Sequence, residues 1–277
     1  MIILVLAVLG LCLGSFTNAL VWRLHEQGVG SGKKLKKVPK QLTISQGRSV
    51  CPNCKHQLGF MDLIPVLSWI GLGGKCRYCH KPISWQYPLV ELATAGLFIL
   101  SYLCWPLGWS NLAVFQFSVW LVMLVGFMAL TIYDLRWQLL PTRIIYPLGG
   151  LALLEVLVVA FISKDLAIIR LAAIGVLCLG GLFYLLFQLS GGKWIGYGDV
   201  RLGVVLGLLV GGPSSAVLLL FFASAIGTAA SLPGLIGKKS VMKQRVAFGP
   251  FLILATVIVY LFGASIISWY KQRFLLL

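Results

Sequence analysis

The stretch 112–132 reads LAVFQFSVWLVMLVGFMALTI and holds no charged residue. At about 1.5 Å per residue, a helix of some 20 apolar residues crosses the ~30 Å hydrocarbon layer of a bilayer. The run ends at Thr131-Ile132-Tyr133-Asp134-Leu135-Arg136, where an acid and a base meet the apolar segment. Comparable runs lie near 1–22, 88–105, 143–162, 167–189, 200–212, 214–236 and 249–270. About eight transmembrane helices are therefore expected, making this an all-α polytopic membrane protein. The run 200–212 is too short to cross alone and is expected beside a cleft or a thinned membrane.

Composition agrees: 59% of the 277 residues are hydrophobic and 11% charged, against about 25% charged in soluble domains. Lys and Arg set the orientation, because they accumulate on the cytosolic side. With 23–87 in the cytosol and alternation from there, nineteen of the 23 basic residues fall on the cytosolic side and four outside. The amino terminus is then outside, and Asp134 and Asp199 lie at the cytosolic face. The first run starts at residue 1 with its basic flank after it, at Arg23, which reads as a retained span rather than a cleaved signal. The net charge of +16 is accounted for by this bias and by attraction to anionic lipid, with no nucleic acid required.

Three regions result: a first span at 1–22, a cytosolic region at 23–87, and a multi-helix membrane core at 88–277. The cytosolic region opens with a basic, glycine-rich linker, Gly28 to Lys37, and then carries Cys51-Pro52-Asn53-Cys54 and Cys76-Arg77-Tyr78-Cys79. Two C-x-x-C pairs 21 residues apart can close around one tetrahedral zinc. In a reducing compartment disulfides are disfavoured, and a small loop domain with little apolar core needs such a staple. Four thiolates leave no position for water, so the zinc is expected to be structural. His56 and His80 adjoin the knuckles and are expected on the surface. Cys12, Cys104 and Cys178 fall inside apolar runs and read as packing residues.

Only seven acidic residues occur, and ionisable groups at membrane depth are functional candidates by default. Asp134 and Asp199 stand out as a pair on one face. Singly, each also reads as a helix cap or a partner for Arg136 or Arg201. As two carboxylates sharing one proton, they supply the acid and base of an aspartic protease. Gly196 and Gly198 flank Asp199 and leave room for an extended substrate backbone. Asp62 and Glu91 are candidates for facing a basic ligand. Asp165 reads as a loop residue, and Glu155 lies mid-span at a depth that does not suit the pair.

These motifs together resemble the bacterial type IV prepilin peptidases, also called prepilin leader peptidase/N-methyltransferases, of the G-x-G-D class. The resemblance runs along nearly the whole chain: Gly14-Ser15-Phe16-Thr17-Asn18 with Arg23, Arg48 to Cys54, Ile64 to Trp69, Cys76 to Cys79, Tyr87 to Leu92, Asp134-Leu135-Arg136, Leu139-Leu140-Pro141, Gly196 to Arg201 and Phe248 to Phe251. Thr142 stands where many members have Asp, and Gln86 where Arg is common. The resemblance implies a multi-pass protein of the bacterial inner membrane. It implies cleavage of the basic leader of prepilins or pseudopilins at a Gly on the cytosolic face by Asp134 and Asp199. It further implies methylation of the new amino terminus with S-adenosylmethionine, a function associated with the cysteine loop. Asp62 and Glu91 would then offset repulsion between a basic leader and a basic enzyme.

Two other classes compete. A transporter would use Asp134, Glu155 and Asp199 as a proton or cation relay, and predicts acids spread through the membrane depth. A membrane-anchored zinc-ribbon interaction protein leaves the aspartates and their glycines without a role.

Overall fold

The computed structural model describes residues 1–29, 42–43, 47–235 and 247–275. The basic linker lies outside these from Gly30 onward, as do Lys238, Lys239, Lys243 and Arg245. Among the described residues the regular structure is helical, with two isolated bridges. A helix stands at each of the eight expected places. Six are long and apolar enough to cross a membrane: α1 (Ile2–Glu26), α4 (Asn111–Trp137), α5 (Thr142–Ser163), the composite Ala167–Ser190, α9 (Pro213–Leu235) and α10 (Gly249–Tyr270) with its extension. The other two, α3 (Gln86–Leu103) and α8 (Tyr197–Val210), fall short of that length or apolarity. A five-residue helix, α2 (Leu67–Gly71), lies in the cysteine loop.

The chain divides into two compact units, Met1–Leu103 with Leu124–Ala129, and Cys104–Met123 with Leu130–Leu277. In the first, α1 packs on α3 through Gly10 and Gly14, spaced as small-x-x-x-small. A Cβ on Gly10 would stand 2.5 Å from Ala95 Cα, and one on Gly14 2.7 Å from Glu91 Cα. Only glycine lets these backbones meet. Asn18 fastens the same pair, donating to Tyr87 O (3.3 Å) and accepting from Gln86 Nε2 (2.9 Å). Arg23, at the end of α1, donates to Thr43 O and Gly47 O.

In the second unit, the composite span is α6 (Ala167–Val176), a π-turn at Leu177–Gly181 and α7 (Leu182–Ser190). It receives α8 through facing glycines: Gly175 against Gly207, Gly180 against Val204, and Gly203 against Phe183. A 14-residue helix is thereby packed inside the bundle without spanning it. Gly211 and Gly212, at φ +55° and +69°, end α8, and Gly212 N–H donates to Leu171 O at 2.8 Å. Pro213, whose missing N–H costs nothing at a helix start, opens α9.

Candidate active site and cysteine cluster

Asp134 lies one turn before the end of α4, 6% exposed. Four residues, Gln138 to Pro141, carry the chain from α4 into α5, with Gln138 left-handed at φ +53°. This turn puts Leu140 between the starts of α8 and α10. A Cβ on Gly198 would meet Leu140 Cβ at 2.9 Å, and one on Gly249 would meet Leu140 Cδ2 at 3.3 Å. Gly249 N–H, at the first turn of α10, donates to Asp134 Oδ2 at 3.1 Å. A Cβ there would stand 2.7 Å from the same oxygen.

Asp199 is the third residue of α8, partly buried, and precedes the apolar run 200–212, outside the spanning segments. Burial first, and then the Asp134 charge, push its carboxyl up to about 6, while the Gly196 N–H works in the opposite direction. The two carboxylates are thus close enough to feel one another. Each sits at a helix N-terminus, Asp134 at α10 and Asp199 at α8, where unpaired N–H groups and the helix dipole favour negative charge. Arg136 and Arg201 instead lie over aromatic rings, Trp137 at 5.9 Å and Tyr197 at 4.4 Å.

Gly198 differs in role from the expectation, because the space left by its side chain is filled by Leu140. At Gly196, by contrast, a Cβ would meet only Asp199 Oδ2 at 3.4 Å and Gly198 N at 4.0 Å. Gly249 and Leu140 carry weight that sequence reasoning did not assign. The signal available was Gly249-Pro250, a helix start with a small first residue. Glu155 is not brought to the pair, since it lies 13 residues into α5 from Thr142, about 20 Å along the axis.

In the first unit, Sγ atoms of Cys51, Cys54, Cys76 and Cys79 all lie within 4.8 Å of one another, and Cys51 to Cys79 is 3.9 Å. Four sulfurs about 2.3 Å from one tetrahedral ion stand about 3.8 Å apart, so the cluster fits a metal. The two knuckles are built alike, offset by 25 residues. Cys51 N–H donates to His56 O and Cys76 N–H to Lys81 O, both at 2.9 Å. Lys55 N–H donates to Cys51 O and His80 N–H to Cys76 O, also at 2.9 Å. Lys55 and His80 turn the chain at φ +58° and +55°. Backbone N–H groups of Cys79 and Tyr78 draw the Cys76 thiol down to about 7, the thiolate that a metal needs. Against the Lys81 N–H, burial and the other three sulfurs push Cys79 up to about 11. His56 and His80 are exposed.

Asp62 and Glu91 both have internal partners. Asp62 accepts from Arg77 Nε (2.7 Å), Gly59 N–H (3.1 Å) and Tyr78 Oη (3.3 Å). Although burial opposes it, these donors hold the Asp62 carboxyl below its ordinary range. Glu91 is buried and accepts from Val66 N–H at 2.7 Å. Val66 takes φ +61° at the start of α2, so Glu91 ties the cysteine loop to α3.

The family model described as Bacterial Peptidase A24 N-terminal domain matches residues 8–105, and that of the Type IV leader peptidase family matches residues 120–232. Among similar curated proteins, a prepilin leader peptidase/N-methyltransferase of Pseudomonas aeruginosa is 34% identical over 95% of this chain and 91% of its own length. One of the same name from Aeromonas hydrophila is 36% identical over 82% and 76%. The type 4 prepilin-like proteins leader peptide-processing enzyme of Escherichia coli is 36% identical over 79% and 80%. No solved structure matches the chain.

Proposed function

The chain belongs to the type IV leader peptidase family, and from that premise we propose that it removes the basic leader of prepilins or pseudopilins and N-methylates the new amino terminus. Cleavage falls after a Gly at the cytosolic face of the inner membrane, with the amino terminus of the enzyme outside. The observation that carries this reading is the joining of Asp134 and Asp199 at the starts of α10 and α8, where one carboxylate raises the proton affinity of the other. With one proton between them, the ionised carboxylate draws a proton from water as it attacks the scissile carbonyl. The protonated one donates to the carbonyl oxygen, and the pair shares a proton again after the amine leaves. Which aspartate holds the proton belongs to the pair.

Gly196 gives the substrate backbone its approach, and Gly198 lets α8 seat against Leu140. Asp62 and Glu91, engaged by Arg77 and by Val66 N–H, bear on the basic leader through the shape they give the loop. The cysteine cluster binds one structural Zn2+, which cross-links the loop. The methyl donor is S-adenosylmethionine. Membrane lipids surround the core, and no nucleic acid takes part.

Purified enzyme in detergent or bilayer is incubated with a prepilin carrying a Gly-Phe junction, and the products are read by mass spectrometry. Asp134→Asn and Asp199→Asn should each lower cleavage by about 10²–10⁴-fold or more, the size of a general acid–base contribution. Substantial cleavage by either folded variant would remove the dyad from the mechanism.

A further inference from the structure

Two buried side-chain polar atoms lack a hydrogen-bond partner among the described residues, Glu155 Oε2 and Trp105 Nε1. Both belong to groups around Tyr260. Its hydroxyl donates to Glu155 Oε1 at 3.1 Å, and its ring lies 6.0 Å from that of Trp105 and 4.0 Å from that of Trp120. Glu155 is 6% exposed in the middle of an apolar span, where a carboxylate with one oxygen unsatisfied is costly. Trp105 does not line the cavity beside Glu155, so the open acceptor there is Glu155 Oε2, in a carboxylate that the Gln116 side chain also faces, and it calls for a ligand that offers a donor.

Glu155 and Tyr260 line a cavity of about 620 Å3, within the usual range for small-molecule sites. It is separate from the aspartates. Gln116, on its wall, precedes Asp134 by 18 residues of α4, about 27 Å along the axis. Its polar lining has both signs. Besides the acid, the lining includes Lys271 and the first turn of α9, with Ser214 and Ser215. By helix geometry the N–H groups of that turn have no acceptor within the helix, and the dipole there favours an anion. The rest of the wall is largely apolar, with Ile168, Leu171, Val159 and Ile267.

We propose that this cavity binds the headgroup of a zwitterionic phospholipid of the phosphoethanolamine type. The ammonium donates to Glu155 Oε2, and the phosphate rests on the α9 N-terminus with Ser214, Ser215 and Lys271. Acyl chains follow the apolar wall toward the hydrocarbon that surrounds these helices. A primary ammonium is required because Oε2 needs an N–H donor, which a trimethylammonium headgroup lacks. An anionic headgroup without an amine would leave the buried carboxylate unsatisfied.

The test is native mass spectrometry of the full-length protein with phosphatidylethanolamine, phosphatidylcholine and phosphatidylglycerol of identical chains, and separately with free O-phosphoethanolamine. Phosphatidylethanolamine should be retained about tenfold or more over the other two, the size of one hydrogen bond to a charged group. Glu155→Gln should abolish that preference without changing retention of phosphatidylcholine, its fold being checked by thermal unfolding. Lys271→Gln, at an exposed position, should weaken phosphatidylethanolamine retention without altering fold. Equal retention of the ethanolamine and choline lipids by the wild type, or an unchanged preference in Glu155→Gln, would overturn the site. Binding of free phosphoethanolamine as tight as that of the lipid would overturn its assignment to a lipid.

Discussion

The backbone N–H of Gly249 donates to Asp134 Oδ2 at 3.1 Å, and no other residue could stand at 249 without displacing that oxygen. Three devices meet at this contact. The N-terminus of α10 presents an unpaired N–H, the missing Cβ admits the carboxylate, and Leu140 fills the space between α10 and α8. The candidate catalytic carboxylate is therefore positioned by a helix start 115 residues away in sequence.

Gly249→Ala tests this positioning. Ala is the better helix former, so local propensity alone predicts a slight gain in stability. A Cβ 2.7 Å from Oδ2 must instead shift the carboxylate, and misplacement on the ångström scale can lower rates by about 10²-fold. Cleavage should fall by that order while the variant still inserts and folds. A near wild-type rate would show that the contact does not orient Asp134.

A pH-dependent stability should follow from Asp199. Its carboxyl is raised from 3.8 to about 6 by burial and by the Asp134 charge. The folded state thus binds a proton that the unfolded chain releases. The resulting stabilisation is complete below the unfolded value of 3.8 and is lost as pH rises through about 6. Asp199→Asn, neutral at every pH, should melt about 2–4 °C above wild type at neutral pH, after discounting for the partial exposure of the group. The gap should close as the pH falls toward 4. A constant difference across that range would contradict the raised affinity.

The cysteine cluster should carry one zinc per chain by elemental analysis under reducing conditions. Cys76→Ser/Cys79→Ser should release it and unfold the loop, because one knuckle cannot close a tetrahedral site. Mass spectrometry of pilin processed by this variant should show cleaved, unmethylated product, with cleavage reduced but present. Full methylation by metal-free enzyme would place methyl transfer elsewhere.

The α1–α3 contact gives a control pair. Gly10→Val puts a Cβ 2.5 Å from Ala95 Cα, and backbone cannot yield as a side-chain end would. A loss of about 1–3 kcal/mol is expected, as for overpacking. Gly96→Ala, on α3 with no atom within 4 Å of the added carbon, should be neutral to slightly stabilising, Ala being the better helix former. Thermal unfolding in detergent compares the two, and equal melting would remove the contact from the packing scheme.

Much of this protein was legible along the chain. Apolar runs located the membrane-core helices, though not the short α2 of the cysteine loop, since a bilayer leaves a helix as the form in which a spanning segment satisfies its own backbone. Paired C-x-x-C spacing named the four metal-binding candidates, because a tetrahedral site needs four ligands and two tight turns supply them. The rarity of acids drew attention to Asp134 and Asp199. Tertiary structure decided what surrounds them. Gly198 looked like an opening for substrate, yet its space belongs to Leu140, a residue from another turn. Asp62 and Glu91 looked available, yet Arg77 and Val66 N–H occupy them. Gly249-Pro250 marked a helix start but not its carboxylate partner, and the cavity at Glu155 had no local signature. Spacing along a chain records contacts within one element, whereas these arise where the starts of α8 and α10, or the ends of α5 and α8, are brought together by packing.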